Sequence, residues 1–363
     1  MSATDDTIDT EDDNIPRVGS APDMSTRYLG LELCSPIVAS ASPLTGNPLM
    51  WARLQDAGAG AIVLPSLFEE QIERETSALD AAFDLAMDIS GEASSFLPDL
   101  DGFDAGPARH VALVEKAREQ LSIPVIASIN GVTPGGWVHY ARHLADAGAH
   151  AIELNLYDVV VDPRLSAADV ERRYIELVEE VRAEITVPLA VKIGPWFTAL
   201  AHFAIALEDA GANGLVLFNR LYQPDIDLDT LDVRPRLQLS TSAESRLPLH
   251  WMAILRDMIS GSLAATTGVH DGADAMKLLL AGSDVVMTTS ALLMYGPEYI
   301  TAMLTWMRDW MTARDYSSVR QLRGSVSRHK VPDPDVYDRA NYYQTLHSWL
   351  PPQHLGGVSG TSR

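Results

Sequence analysis

One phrase occurs three times in the sequence: DAGAGAIVL at 56–64, DAGAHAIEL at 146–154 and DAGANGLVL at 209–217. In each copy a helix-like segment ends at Asp-Ala-Gly, and an apolar run begins within a few residues. Glycine at this point suits the left-handed backbone conformation that often ends a helix. LAGSDVVM at 280–287 is a weaker fourth copy. The phrase therefore indicates a repeated unit in which a helix leads directly into a buried strand.

Beyond these phrases, the chain alternates short apolar runs with helix-length amphipathic segments. The runs are apolar at successive positions, as expected of parallel strands that are covered on both faces. Eight such units predict a TIM (β/α)8 barrel. An open doubly wound sheet is the alternative, but no strand leads into a G-x-G-x-x-G turn. The predicted strands are 36–42, 60–66, 124–129, 151–156, 188–194, 214–219, 262–266 and 284–289.

Two segments of the chain are additional to the strands and helices that a minimal barrel needs. Residues 67–106 separate the second strand from its helix, and long connections are usually functional or disordered. Because a loop after a strand lies at the C-terminal end of the barrel, where active sites are built, we expect a substrate lid there. The extension at 316–363 is rich in Tyr, Pro and charge. We expect it to wrap the barrel base or to make an oligomer contact.

The charge of the chain excludes several classes of partner. Lys and Arg number 27 against 49 Asp and Glu, which gives a net charge of −22. Such a surface would repel both a nucleic acid and an anionic membrane surface. Residues 1–24 hold seven acids against Arg17 and few apolar residues, so we expect a disordered acidic tail. The predicted divisions are this tail, a barrel at 25–315 with the lid, and the C-terminal extension.

Cys34 is the single cysteine of the chain. One thiol excludes an intramolecular disulfide, a thiolate zinc site and a cysteine-held iron–sulfur cluster within this chain, and we expect no metal. The sequence has no apolar run long enough for a membrane span, and its N-terminus is acidic rather than signal-like. We therefore expect a soluble cytoplasmic protein that acts on a small molecule.

Lys192 is the most informative polar residue, because it interrupts the apolar fifth strand in AVKIGP. A lysine at this point is expected to reach the barrel mouth. Burying an ammonium group without a partner is expensive, so Lys192 should meet an anion or act with a lowered pKa. Two interpretations are open: a contact with a cofactor or substrate, and a structural salt bridge with an acid on a neighbouring strand.

Three strands end in asparagine at the same level of the barrel: Asn130 in the third, Asn155 in the fourth and Asn219 in the sixth. An amide offers both donors and acceptors, as a flat heteroaromatic ring with alternating C=O and N–H groups requires. A single asparagine at a strand end is more often a turn former. Three at equivalent positions favour ring binding.

The last two units predict a phosphate site. ATTGVHDGADA (265–275) and VMTTSALL (286–293) each follow a strand and open a helix with Gly, Thr or Ser. Backbone N–H groups and hydroxyls would converge there, where barrels commonly bind phosphate. In the first unit, ASASPLTGN holds the small residues Ala41 and Ser42, which would let a planar ring pack against the backbone. A tight turn before the helix would explain those two residues equally well.

Taken together, the motifs resemble the dihydroorotate dehydrogenase family of FMN-containing barrels. The resemblance runs from about residue 27 to 315, and the motifs occur in the family's order. It is nearest to the dihydroorotate dehydrogenase-like subgroup, whose own C-terminal segment is similar to the stretch that begins WMTARDYSSV at 310. The matching pieces are LCSPIVASASPLTGNP, AIELNLYD, VKIGP, LFNR, TTGVHDGADAMKLLLAGSDVVMTTSALL and GPEYI.

The resemblance implies a set of contacts to FMN. Small residues would line the flavin, amides would bond its ring or the substrate, a lysine would lie beside its N1 and C2 oxygen, and two loops would hold its phosphate. These residues are, in that order, Ala41 and Ser42; Asn130 and Asn155; Lys192, with Asn219 nearby; and Gly268 and Val269 with Thr289 and Ser290.

The chain departs from the family at the substrate side. Where the family's Asn-Leu-Ser-Cys-Pro-Asn phrase carries its base, this chain has Asp158, preceded by Tyr157. The phrase's second asparagine is replaced by Val160, and the family lysine of the second strand by Pro65. The asparagine-rich orotate loop has no counterpart in 67–106. The resemblance therefore implies that flavin binding is retained while orotate recognition is lost or rebuilt.

The resulting hypothesis is an FMN-dependent oxidoreductase of pyrimidine-biosynthesis type, acting on a CH–CH bond next to a carbonyl. Lys192 would serve the flavin, and Asp158 or Tyr157 would handle the proton. Two alternatives are a Schiff-base aldolase that uses Lys192 as its nucleophile, and a flavin-binding subunit or degenerate homologue that needs a partner chain. A homo-oligomer and an external electron-transfer partner are both compatible with the sequence.

Overall fold

The computed structural model describes residues 21–72 and 107–348. Within these ranges eight parallel strands form a closed barrel in the order β11-β12-β3-β4-β5-β6-β7-β8, and two antiparallel hairpins, β1-β2 and β9-β10, lie outside it. The strands are β1 (Thr26–Tyr28), β2 (Leu31–Leu33), β3 (Ile37–Ala39), β4 (Ala61–Phe68), β5 (Val125–Asn130), β6 (Ala151–Asn155), β7 (Leu189–Ile193), β8 (Gly214–Leu217), β9 (Pro224–Ile226), β10 (Val233–Pro235), β11 (Ser262–Thr266) and β12 (Val285–Thr288).

Helices follow the barrel strands, as in a TIM barrel. All eight predicted strands are confirmed. Helices also occupy the amphipathic segments between the strands, as predicted. The helices are α1 (Pro48–Asp56), α2 (Pro107–Gln120), α3 (His139–Asp146), α4 (Ala167–Glu184), α5 (Leu200–Asp209), α6 (Arg246–Leu255), α7 (Gly272–Ala281), α8 (Ser290–Tyr295), α9 (Tyr299–Thr312), α10 (Val319–Leu322) and α11 (Ala340–His347).

The repeated Asp-Ala-Gly phrase ends three helices as predicted. Gly58, Gly148 and Gly211 have φ angles of 98°, 100° and 105°, a region that side chains with a Cβ atom rarely adopt. Each glycine turns the chain so that the next N–H group donates back into the last helical turn, as when Ala212 N–H donates to Leu207 O at 3.1 Å. The chain can then enter the following strand within a few residues.

Alternation along the strands divides the core into two parts. In β6, Ile152 and Leu154 pack outward against the helices, whereas Ala151 belongs to the apolar cluster inside the barrel. Because side chains alternate, Glu153 and Asn155 share the inner face with Ala151. The interior is therefore apolar toward the start of the strands and polar toward their C-terminal ends.

The first hairpin, β1-β2, closes the N-terminal end of the barrel and was not predicted. Its residues Tyr28, Leu29 and Leu33 belong to the apolar cluster of the barrel interior. Leu29 N–H donates to Ser262 Oγ at 2.9 Å, which ties the hairpin to the start of β11. Burial of the Tyr28 hydroxyl, followed by the charges of Glu153 and Asp284, raises its pKa well above the usual value. Because the hairpin closes the N-terminal end, the barrel opens at its C-terminal end.

Residues after 316 pack onto the barrel along α6 and α7. Gly324 N–H donates to Leu279 O and Arg328 N–H donates to Ala253 O, both at 2.9 Å. The predicted acidic tail at 1–24, the lid at 67–106 and the end of the extension lie wholly or largely outside the described residues. Within the described ranges, no helix is both long and apolar enough to cross a membrane.

Asp284 anchors this C-terminal segment at the base of the barrel. Its buried carboxylate accepts from Leu263 N–H at 2.7 Å and from the Arg256 guanidinium at 3.1 Å. It also pairs with Arg323 of the C-terminal segment. One carboxylate therefore joins β11, β12, the end of α6 and the extension.

Replacing Asp284 with Asn should lower the free energy of unfolding by about 3 kcal/mol, since two guanidinium groups would lose a buried counter-charge. Chemical denaturation followed by circular dichroism measures this loss. The control is Asp162→Asn, which removes the carboxylate of a surface pair with Arg164 and should change stability little. Equal stability of the Asp284 variant and the wild type would contradict the anchoring role.

Candidate active site

A cavity of about 500 Å³ opens at the C-terminal ends of the barrel strands. This volume lies within the range of roughly 300–1,000 Å³ that is usual for small-molecule sites. Eleven of the twelve residues selected from the sequence line it, the exception being Asp158. They are Ala41, Ser42, Asn130, Asn155, Tyr157, Lys192, Asn219, Gly268, Val269, Thr289 and Ser290.

Lys192 lies between the cavity and a buried carboxylate. Its side chain is 12% exposed and lines the cavity, and its Nζ atom is 3.6 Å from Oε1 of Glu153 on the neighbouring strand β6. The structure therefore shows a salt bridge with an acid on the next strand, and Lys192 also lines the cavity, where its contact with a cofactor or substrate stays a prediction. Glu153 is not among the residues selected from the sequence.

The strand-end asparagines serve two different purposes. Asn130, Asn155 and Lys192 stand side by side, because the registers of β5-β6 and β6-β7 pair Asn155 with each of the other two. Asn155 Oδ1 is buried and has no hydrogen-bond partner within the described residues. The Asn219 amide instead donates to Leu156 O at 3.1 Å and so links the end of β8 to the end of β6, two strands away. Asn155 is thus available to a ligand, and Asn219 shapes the wall.

The loop after β3 presents small side chains to the cavity. Ser42 N–H donates to Thr45 Oγ1 at 3.1 Å, and Thr45 N–H donates to Ser42 Oγ at 3.3 Å. These reciprocal bonds form a compact turn that begins directly after the strand. Ala41 and Ser42 therefore stand at a tight turn that also lines the cavity, and the packing of a planar ring against them stays a prediction.

The loops after β11 and β12 meet at the other end of the cavity. Gly268 has a φ angle of 76°, and a Cβ atom added there would lie 2.2 Å from the backbone nitrogen of Ser245. Thr288 Oγ1 donates to Val269 O at 2.8 Å and holds the two loops together. Both loops therefore line the end of the cavity where the sequence predicts a phosphate.

The two candidates for proton transfer separate in space. Tyr157 lines the cavity, and its hydroxyl oxygen accepts a hydrogen bond from Tyr222 N–H at 3.2 Å. Asp158, the next residue, pairs with Arg173 of α4 at 2.6 Å and is not among the described residues that line the cavity. Successive side chains leave an extended chain on opposite sides, so only one of the two can face the ligand.

Sequence reasoning missed the residues that cover the cavity. The hairpin β9-β10 and residues 237–240 lie between β8 and α6, and Leu237, Gln238, Leu239 and Ser240 line the cavity. Arg220 holds this cover, because its guanidinium bonds to Gln238 O and to Glu244 at 2.8 Å. Burial raises the pKa of Glu244, but hydrogen bonds from Arg220 and from Thr241 N–H lower it overall. The long interval between the sixth predicted strand and the next helix was the available signal.

The donor set fits FMN. Asn155 offers an unpaired buried acceptor for a ring N–H group, and Lys192 offers a cation beside it. Gly268 lines the cavity in the loop between β11 and α7, just before a helix N-terminus, which is a common position for a phosphate group. Within the described part of the chain, no group of three His, Cys, Asp or Glu residues is placed to hold a metal ion.

Comparisons with known proteins agree with this fit. The profile of the dihydroorotate dehydrogenase family matches residues 100–311. The putative dihydroorotate dehydrogenase A (fumarate) of Aeropyrum pernix is 28% identical over 323 residues, 85% of this chain and 99% of the relative. Two further relatives are named as subunits of larger enzymes.

The first is the NAD-dependent dihydropyrimidine dehydrogenase subunit PreA of Escherichia coli, which is 22% identical over 88% of this chain and 82% of its own. The second is the catalytic subunit of dihydroorotate dehydrogenase B (NAD+) of Endomicrobium trichonymphae, which is 23% identical over 85% of this chain and 98% of its own. The family consists of flavoproteins that depend on FMN and act on CH–CH donors. The chain belongs to the dihydroorotate dehydrogenase family and is an oxidoreductase with FMN as its cofactor.

Proposed function

We propose that this enzyme interconverts a dihydropyrimidine-type ring and its unsaturated form, with dihydroorotate or a related molecule as the substrate. The observation that carries the proposal is that Asn155, Lys192 and Tyr157 line the same cavity. The names of the relatives support the same class, since dihydroorotate and dihydropyrimidines share one ring with a CH–CH bond next to a carbonyl. The altered residues at 65, 158 and 160 favour a related substrate over dihydroorotate itself.

The chemistry divides between the cofactor and the chain. Bound FMN supplies the acceptor for a hydride, and the protein orients the ring and the substrate. Oxidation also removes a proton from the carbon next to the carbonyl, and that proton needs an acceptor on the chain. Tyr157 would fill this role as its phenolate, because its oxygen lies at the cavity wall and accepts a hydrogen bond from Tyr222 N–H.

The cover over the cavity contributes by limiting water. Leu237 and Leu239 stand at its wall, and Arg220 binds the backbone between them. Exclusion of water strengthens the electrostatic contacts of Lys192 and the amides with whatever they bind. The site therefore combines a polar floor formed by strands with a cover formed by a loop.

A second candidate is that the chain is the catalytic subunit of a larger assembly. Two of the relatives described above are named as subunits, which favours this arrangement. In that case the cavity performs the same half-reaction on the ring, and a partner chain carries the electrons onward. The Schiff-base aldolase has no such support, because the family contains oxidoreductases.

The purified protein should show a flavin absorption spectrum and release FMN on denaturation. The protein is then mixed, without oxygen and without a partner chain, with dihydroorotate, dihydrouracil or dihydrothymine. At least one of the three compounds should bleach the flavin. A substrate other than dihydroorotate is expected to react fastest, because the residues at 158 and 160 depart from the family phrase. Bleaching by none of the three would argue against a dihydropyrimidine substrate.

Gly268→Ala should weaken FMN binding by at least about tenfold, because the new Cβ would collide with the backbone at Ser245 and displace the loop. Fluorescence titration of the apoprotein with FMN measures the dissociation constant. Gly296→Ala is the matched control: Gly296 also has positive φ, at 86°, but a Cβ there would meet only the flexible Glu298 carboxylate. Equal effects of the two variants would remove Gly268 from the FMN site.

Tyr157→Phe should slow bleaching of the flavin by substrate about 10²-fold or more, as is usual when a positioned acid or base is lost. FMN binding should be unchanged, since only a hydroxyl group is removed. Asp158→Asn should keep the rate within a few-fold, because that carboxylate faces Arg173. Rapid-mixing absorbance under anaerobic conditions gives both rates. The reverse ranking of the two variants would make Asp158 the proton acceptor.

A further inference from the structure

We propose that Glu153 is a positioning residue that balances the charge of Lys192 and thereby sets the reduction potential of the bound flavin. The inference rests on the proposed function in one respect: FMN lies in the cavity that Lys192 lines. The sequence motifs assign no role to Glu153, which lies at the centre of β6 between Ile152 and Leu154. Its importance follows from the contacts that surround it.

The Glu153 carboxylate is buried without hydrogen bonds. The side chain is 1% exposed, and neither of its oxygens has a hydrogen-bond partner among the described residues. A buried polar group is almost always paired, and an unpaired buried carboxylate is among the most unfavourable groups in a protein interior. Some other interaction must therefore hold this carboxylate in place.

Among the surrounding residues, Lys192 is the counter-ion of the Glu153 carboxylate. Strand register aligns Glu153 with Ser128, but the Ser128 hydroxyl is already bonded to Ser66 Oγ at 2.7 Å. Toward the barrel base lies the apolar interior with the Tyr28 ring, whose hydroxyl pKa is raised first by burial and then by the Glu153 charge. Lys192 Nζ lies at 3.6 Å on the cavity side.

Stability alone does not explain this pair. Apolar side chains of similar volume generally stabilise an interior as well as a buried ion pair does. The two members of the pair differ in their access to the cavity. The lysine lines the cavity, whereas the glutamate lies behind it and is closed off from solvent. A ligand in the cavity therefore meets an ammonium group whose field is reduced by a carboxylate a few ångströms deeper.

This arrangement predicts the sign of an effect on the flavin. A positive charge near the ring stabilises the reduced form, which carries more negative charge than the oxidised form. The Glu153 carboxylate opposes that stabilisation through Lys192. Glu153 should therefore hold the reduction potential below the value that Lys192 alone would set.

The test is the midpoint potential of FMN bound to the whole chain, measured by equilibration with a reference dye. In Glu153→Gln the equilibrium should move at least tenfold toward reduced flavin, which for two electrons corresponds to about +30 mV. Lys192→Met should move the potential in the negative direction. In the double variant, Glu153→Gln should add nothing to Lys192→Met, because a buried carboxylate that has lost its cation becomes neutral and no longer acts on the flavin.

The matched control is Glu179→Gln, which replaces an exposed glutamate on α4 and should leave the potential unchanged. Glu153→Asp provides a second variant if the glutamine protein does not fold: it draws the carboxylate away from Lys192 and should shift the potential in the same direction by less. An unchanged or more negative potential in a folded Glu153 variant would overturn the proposal, as would a loss of stability alone. Failure of the proposed function would differ, because the wild type itself would then lack bound FMN or reaction with dihydropyrimidines.

Discussion

The pairing of β12 with β3, which aligns Val286 with Ile37, closes the sheet into a ring and imposes the rest of the architecture. Once eight parallel strands are closed, all their C-terminal ends must meet at one rim. Residues as distant in sequence as Ala41 and Ser290 then share one cavity without a direct bond between them. The site depends on this closure more than on any of its own side chains.

Closure also forces a choice about the barrel interior, because every second residue of every strand points into a narrow space. The chain fills the base with apolar groups, among them Tyr28 and Leu33 from a hairpin that acts as a plug. Toward the mouth it places Ser128, Glu153 and Lys192 instead. A polar layer is tolerable there because the lysine can reach the cavity, where a ligand completes its contacts. Glu153 stands at the boundary between the two layers, with Tyr28 on the apolar side and Lys192 on the polar side.

How far the sequence predicts this structure depends on how local each feature is. Strands, helix ends and the Asp-Ala-Gly caps follow from periodicity and from glycine over short windows, so the barrel could be recognised. The residues at strand ends could be chosen because closure places all such ends together. The Asp158 side chain, by contrast, points toward Arg173 on α4, which is distant from the strand-end pattern. The proposed role of Glu153 depends on the register of β6 with β7. The two hairpins escaped notice because their strands are only three residues long.

The division between strands and loops bears on how this chain differs from its relatives. The floor of the cavity is formed by side chains on paired strands, such as Asn155 and Lys192, whose positions are fixed by many backbone hydrogen bonds. The mouth is formed by loop residues, including Tyr157, Tyr222 and the segment that Arg220 holds. Loops accept changes in sequence that strands do not. Ring binding can therefore persist while the loop groups that select the substrate change, as we propose for the replaced residues at 158 and 160. Pro65 departs from this division, because it lies on β4.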